Sequence, residues 1–146
     1  MDIASLLKKR KRGAIGISNE ATVEECVSLL AGENLGALIV YDAHGKIVGI
    51  LSERDIVQGL AKWGGLVLNR CVAELMTSKV ITCKPKENLK DLMSVMINRE
   101  FRHLPVVEDG KVINVISMRD LVRERIAEME LENNVLRDLA LTRPPI

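Results

Sequence analysis

The chain nearly repeats itself. Displaced by 66 residues, the segment from Ala14, "AIGISNEATVEECVSLLAGENLGALIVYDA", falls on the segment from Val80, "VITCKPKENLKDLMSVMINREFRHLPVVED". Val23 meets Leu89, Leu30 meets Met96, Leu38 meets Leu104 and Val40 meets Val106. His44 is a one-residue insertion in the first copy. Beyond it "GKIVGILSERDIV" falls on "GKVINVISMRDLV" at a displacement of 65. Self-similarity of this kind marks two copies of one supersecondary unit. Whatever the first copy becomes, the second must become as well.

Each copy reads in one order. A short extended piece comes first, residues 14–17 and 80–83. A helix follows, with apolar residues three and four apart: Val23, Val27 and Leu30 in one copy, Leu89, Leu92, Met93 and Met96 in the other. Thr22 and Asn88 stand where helix caps belong. Two β-rich runs come next, "ALIVY" and "KIVGIL" around "DAHG", then "HLPVV" and "KVINVI" around "EDG". Asp-Gly between such runs signals a hairpin. A last helix starts near Asp55 and near Asp120. The unit is β-α-β-β-α. The segment "KWGGLVLNRCVAELMTSK" links the copies, with Gly64-Gly65 as its break and "VAELMTS" as a short helix. One copy alone is too small to bury a good core. The expectation is an α+β fold with two repeats packed sheet to sheet about a pseudo-two-fold axis.

Apolar residues make up 47% of the 146, enough for a core. Aromatics are 2%, so that core must be aliphatic, and base-stacking platforms for single-stranded nucleic acid have no material. A net charge of +1 excludes an overall basic coat. The local exception, "KKRKR" at residues 8–12, reads as a solvated turn, or as help in drawing anionic ligands. Cys26, Cys71 and Cys83 form no C-x-x-C pair and read as reduced thiols. No apolar run approaches the roughly 20 residues of a membrane span, and "IASLL" precedes the basic cluster, the wrong order for a secretory signal. A cytoplasmic location is expected. With only His44 and His103, and no nucleophile and base at a recognisable spacing, neither a His-based metal site nor a catalytic triad is foreseen, and the chain is expected not to be an enzyme.

The tandem unit resembles a pair of cystathionine β-synthase (CBS) domains. The residues that carry the resemblance are the apolar-Pro-Val-Val strand, the Gly-Lys hairpin and the Gly-apolar-x-Ser/Thr-x-x-Asp-apolar run before the last helix. "GILSERDI" matches that run at every position, and "NVISMRDL" departs only at Asn114. The resemblance covers roughly residues 1–127. It implies a first CBS domain over residues 1–66, a second over 72–128 and a helical extension over 129–146. It implies a flattened Bateman module that binds an adenine nucleotide or adenosyl ligand between the copies: AMP, ADP, ATP, NAD or S-adenosylmethionine. It also implies a likeness to regulatory modules that pair as dimers.

The residues support that chemistry. Ser52 and Ser117 end strands and begin helices, where free backbone N–H groups suit a phosphate. Arg54 and Arg119 offer planar cations for phosphate oxygens. Asp55 and Asp120 offer carboxylates that accept from ribose hydroxyls, the role the resemblance gives them. The bland alternative is a capping box, for which Ser-x-x-Asp suffices. Capping alone needs no Arg at the same place twice. The adenine end is expected among Ile15, Gly16 and Ile17 in one copy and Ile81, Thr82 and Cys83 in the other. Gly36, Ala37 and Leu38 correspond to Arg102, His103 and Leu104, with Pro105 following. Small Gly36-Ala37 would let a ring approach, whereas Arg102-His103 would reach a phosphate. The cleft using Ser52, Arg54 and Asp55 is expected to be the better one, because it keeps Gly49 where the other has Asn114.

From Asp120 the helical pattern continues. Val122, Ile126, Met129, Asn133, Leu136 and Ala140 form a heptad seam with one polar member. Leu131, Val135 and Leu139 form a second apolar row, and "TRPP" ends the helix. Such a helix suits packing on its mate in a homodimer, the other possibility being a fold back on its own sheet. Two further readings stay open: a scaffold dimer without a ligand, and a nucleic-acid-associated regulator acting through "KKRKR", the less favoured one. With ligand sensing, the effector would be a separate protein.

Overall fold

Repetition in sequence becomes repetition in space, with one exchange. The computed structural model describes residues 1–10 and 13–142. In the first repeat, strand β1 (Gly16–Ser18) pairs in parallel with β2 (Ala37–Tyr41), which pairs antiparallel with β3 (Ile47–Ser52). Helix α2 (Val23–Glu33) connects β1 to β2, and α3 (Glu53–Trp63) follows β3. The second repeat runs α5 (Leu89–Arg99), β4 (His103–Glu108), β5 (Lys111–Ser117) and α6 (Met118–Thr142). Its first extended piece is reduced to one parallel bridge, Cys83 on Val106. The Cys83 N–H donates to the Pro105 carbonyl (2.9 Å) and the Val107 N–H to the Cys83 carbonyl (2.8 Å). Pro85, two residues on, has no N–H to extend that ladder.

Local chemistry fixes the element ends. The Thr22 hydroxyl accepts from the Glu25 N–H (3.2 Å) and the Glu25 carboxylate accepts from the Thr22 N–H (3.3 Å), a complete capping box. The Asn88 side chain accepts from the Lys90 N–H at 2.9 Å. Asp109 (φ 52°) and Gly110 (φ 76°) turn the second hairpin with two positive φ angles, as expected of Asp-Gly. Both hairpins shift register at the same place, Val40/Tyr41 and Val106/Val107. The break at Gly64-Gly65 opens a 3₁₀ segment, Gly64–Asn69, that leads to α4 (Val72–Leu75).

The exchange involves α4 and α1 (Ile3–Leu7), a helix the sequence patterns did not reveal. The α4 helix precedes the second repeat but docks on the first: the Val72 and Ala73 N–H groups donate to the carbonyls of Ala21 (2.8 Å) and Asn19 (3.2 Å). The α1 helix precedes the first repeat but docks on the second. There the Ile3 and Ala4 N–H groups donate to the carbonyls of Glu87 (3.0 Å) and Pro85 (2.8 Å). Each repeat thus completes its core with the other's lead-in helix. One core joins Ile3 and Leu6 to Leu89, Leu92, Met96, Leu104, Val106, Ile116 and Leu121. The other joins Val72 to Cys26, Leu30, Leu38, Val40 and Leu51. Burying Ile3 and Leu6 is worth about 1.5–3 kcal/mol each, so α1 is an integral part of the second repeat's interior. The expected α+β architecture of two repeats is present, and the exchanged helices add a feature to it: each repeat's core is closed by a helix from the other's lead-in. No helix among the described residues is long and apolar enough to cross a membrane.

Candidate functional site

Two cavities lie where the repeats meet. The first, about 310 Å³, is lined by Ser52, Glu53, Arg54, Asp55 and Gln58 of the β3–α3 junction, with Gly36 and Thr77. The second repeat contributes Glu100, Phe101, Arg102 and His103 from the α5–β4 junction. The second cavity, about 390 Å³, is lined by Ile15, Leu35 and Ala37 of the first repeat, Asn114 and Val115 of β5, and Arg10, Gly13 and Ala14 of the first lead-in. Both sit at the lower end of the roughly 300–1,000 Å³ range of small-molecule sites.

Ser52 caps α3, and Asp55 closes the box. Asp55 Oδ2 accepts from the Ser52 N–H (2.9 Å) and lies 3.1 Å from its Oγ, while Oδ1 accepts from the Thr77 hydroxyl (3.2 Å). The capping alternative is therefore physically real. It does not exhaust the carboxylate, which has about four lone-pair sites. Thr77 arrives through a close approach of backbones: a Cβ on Gly49 would lie 2.7 Å from Met76 Sδ and 2.9 Å from the Thr77 carbonyl. The absent side chain lets the linker lie against β3, where Thr77 and Ile50 exchange backbone hydrogen bonds (2.9 and 3.0 Å). Gly49 serves the cleft by seating the linker, which the sequence alone did not disclose.

His103 lies opposite Gly36, where an added Cβ would come within 3.1 Å of its Nε2. Burial pushes the imidazole below its usual pKa. Asp120, Glu53 and Asp55 oppose that shift, and Arg102 adds to it. Glu100 has φ 59°, a left-handed conformation unusual for a residue with a long side chain. The equivalent position in the first repeat is Asn34 (φ 53°), a residue better suited to it.

The second cleft has the same frame and a different occupant. The Ser117 hydroxyl accepts from the Asp120 N–H (3.1 Å), and Asp120 Oδ2 accepts from the Ser117 N–H (2.8 Å). Arg10 then forms an ion pair with Asp120. Its Nη1 also donates to the Val115 carbonyl (3.0 Å) and to Asn114 Oδ1 (3.3 Å). Burial raises the Asp120 pKa, but the Ser117 hydrogen bonds and the Arg10 guanidinium outweigh it and hold the carboxyl below its usual value. Asn114, the one departure from the repeated motif, is buried and helps to seat the arginine. The first lead-in is longer than the second by three residues (Ile3 to Ile17 against Val72 to Cys83), and Arg10 lies within it. The basic cluster is thus not a solvated turn throughout. Lys9 also pairs with Glu124 at 2.8 Å, and residues 11–12 lie outside the described residues.

Of the residues expected at a ligand, Ser52, Arg54, Asp55, Gly36, Arg102 and His103 come together in the first cleft. Ile15 and Ala37 line the second; Ser117 and Asp120 line neither, and Asp120 is tied to the second through its ion pair with Arg10. Gly16, Ile17, Thr82, Leu104, Pro105 and Arg119 line neither cavity. Gly16 packs under the Tyr41 ring, Ile17 against the first core, and Leu104 and Pro105 are sealed within β4, while Thr82 and Arg119 are exposed. Ile81 and Cys83 belong to the second core and Leu38 to the first. Thr77, Phe101, Glu100, Gln58 and Arg10 were missed. Among the described residues, no group of three or more His, Cys, Asp or Glu could hold a metal ion.

A CBS-domain family profile matches residues 11–62 and 72–127. The crystal structure of the CBS-domain protein ATU1752 from Agrobacterium tumefaciens superposes with a TM-score of 0.81. It is 32% identical, and the match covers 85% of this chain and 92% of that one. The CBS-domain pair of MJ0100, solved in complex with 5′-methylthioadenosine and S-adenosyl-L-methionine, superposes with a TM-score of 0.76. It is 26% identical, over 88% of this chain and 98% of that one. An uncharacterised 17.7 kDa protein of Acidianus ambivalens is 32% identical over 108 residues, which span 73% of this chain and 64% of the relative. The match to the mitochondrial protein CBSX3 of Arabidopsis thaliana, 28% identical, likewise spans 65% of that relative's length.

Proposed function

We propose that this chain, which belongs to the CBS-domain family, is a regulatory module that binds an adenosine-containing ligand in its first cleft and passes that state to a separate protein. The observation that carries this is the convergence, across the repeat boundary, of Asp55 and Arg54 with Arg102 and His103 around one cavity. A ribose hydroxyl would take the remaining lone pair of Asp55, and a second would displace the Thr77 hydroxyl from it. A phosphate, or the carboxylate end of an adenosyl amino acid, would take the Arg54 and Arg102 guanidinium groups at the positive end of α3, where the Glu53 and Asp55 N–H groups already bond to the Gly36 carbonyl and the Ser52 hydroxyl. His103 stands beside that anionic end. Support comes from the MJ0100 pair, which holds two adenosyl compounds on the same fold. AMP, ADP, ATP, NAD and S-adenosylmethionine all fit this chemistry.

Ligand contacts to both repeats would change the angle between them, and a partner could read that angle. The exposed seam of α6 suits a homodimer. The scaffold alternative has one observation in its favour: both Ser-x-x-Asp motifs form complete capping boxes. Thermal unfolding with each of the five ligands separates the two. A ligand at 100 times its Kd adds about 2.7 kcal/mol, a shift of a few degrees. A shift abolished by Asp55→Ala supports sensing. No shift with any ligand leaves a scaffold.

A further inference from the structure

Helix α6 leaves the body of the molecule midway. Leu121 is fully buried and Glu124, Arg125 and Glu128 are half-buried, whereas every residue from 129 to 142 is exposed. The heptad seam is open along its length, with Val122, Ile126, Met129 and Leu136 between 38% and 65% exposed. In heptad terms Ile126, Asn133 and Ala140 are a positions, and Val122, Met129 and Leu136 are d positions. Arg123, Glu130 and Arg137 then fall at e, and Arg125, Glu132 and Leu139 at g. A groove of about 330 Å³ runs along Ile126, Met129, Asn133 and Leu136, flanked by Glu130 and Glu132.

We propose that this seam is covered by the same helix of a second copy of the chain, parallel and in register, so that Asn133 faces Asn133. Two independent features select that occupant. The first is the asparagine. In a parallel pair a positions face a positions, and two carboxamides satisfy each other; a single a-position Asn is the known device for fixing register and two-strandedness. In an antiparallel pair a faces d, which buries the Asn133 amide against an apolar side chain with no partner.

The second is charge. In a parallel pair each g residue lies beside the e residue of the next heptad across the seam. Arg125 then meets Glu130 of the second copy and Glu132 meets Arg137 of the second copy, both attractive and both doubled by symmetry. The antiparallel register with full overlap sets Glu130 on Glu130, Glu132 on Glu132 and Arg123 on Arg137. Slipping it by a heptad relieves those charges but leaves Asn133 against Val122 and an overlap of residues 122–133 only. Arg125 also bonds Glu128 (3.1 Å) and lies 3.9 Å from Glu132 of its own helix, so pairing across the seam competes with these contacts, more for the half-buried Arg125 than for the exposed Glu132. Fewer than three heptads make a marginal coiled coil alone. Here Leu121 and Met118 already anchor the helix on the body, so nucleation is complete before pairing.

The proposal deepens the dimer reading above and rests on it. The test uses the full chain with the exposed Cys71 replaced by Ser; Cys26 and Cys83 are buried. Ile126→Cys and Leu136→Cys, which leave Asn133 in place, are made separately, and one carries a mass tag. Under mild oxidation each is expected to cross-link to itself, with little cross-linking between the two. Preferential joining of position 126 to position 136, or self-joining of neither, overturns the parallel register while keeping a dimer. Sedimentation of the unsubstituted chain as a monomer overturns register and dimer together, and a tetramer overturns the two-stranded seam. Glu132→Arg is expected to weaken dimerisation about tenfold, and Glu132→Arg with Arg137→Glu to restore it. Failure of that restoration counts against the pairing even if the cross-links form.

Discussion

The two clefts are built from the same sequence frame and differ in who answers the carboxylate. In the first, Asp55 is met by the neutral hydroxyl of Thr77, and the neighbouring arginines stay available to a ligand. In the second, Asp120 is met by Arg10, a cation anchored further by Asn114 and the Val115 carbonyl. A duplicated motif therefore does not mean a duplicated site. A three-residue difference in lead-in length and one Gly-to-Asn difference are enough to give one open cleft and one occupied from within.

The largest expected effect tests whether the open cleft is the working one. Asp55→Ala removes charge-assisted hydrogen bonds worth about 1.5–3 kcal/mol each, so nucleotide affinity measured by calorimetry should fall from about tenfold to beyond a hundredfold. Asp120→Ala should leave that affinity within about threefold. Equal losses from both would erase the contrast. Next comes Arg10→Ala, which frees Asp120: titration should move from one ligand per chain to two. A stoichiometry unchanged at one would show that Arg10 is not what closes the second cleft.

A smaller effect is set by His103, which Asp120, Glu53, Asp55 and Arg102 surround electrostatically. Its folded pKa lies below the ordinary 6.5, so without ligand stability falls as pH drops through about that value. An anionic ligand beside it favours the imidazolium. Binding should then take up a proton and tighten as pH falls from about 8 towards 6. His103→Gln should flatten that profile, and a profile already flat in the unsubstituted protein would remove His103 from the site. The smallest effect compares Glu100 with its equivalent Asn34. Glu100→Gly relieves a left-handed side-chain clash worth about 1 kcal/mol and should raise Tm by a few degrees. Asn34→Gly should change it less. Equal shifts would mean that the Glu100 backbone carries no special strain.

How legible all this was depended on the range of the interaction. Caps, hairpins and helices were readable because Thr22–Glu25, Asn88–Lys90 and Asp109–Gly110 act over a few residues. That Ser52, Arg54, Asp55, Arg102 and His103 would border clefts between the repeats was an expectation from the repeat and the family resemblance; that one cavity gathers all five was not legible, because it depends on how the α5–β4 junction faces the β3–α3 junction. Arg10 was not: its partner is 110 residues away, and a basic run reads as solvated unless an acid is known to wait for it. Nor was α1, because its displacement from α4 is 69 residues, not 66, so the repeat comparison slides past it. Thr77 was hidden by its place in a linker, where position follows from a missing side chain at Gly49.

The exchange of lead-in helices also sets an order for vectorial synthesis. The first repeat's core is complete in sequence once α4 has emerged, near residue 76. The second repeat's core needs α1, made before the first repeat, and Leu121, made after the second hairpin. Ile3 and Leu6 must therefore wait in water while some 45 more residues are added, a few seconds at about 5–20 residues per second. The nascent chain spends that interval with one finished half and an apolar helix still without its dock.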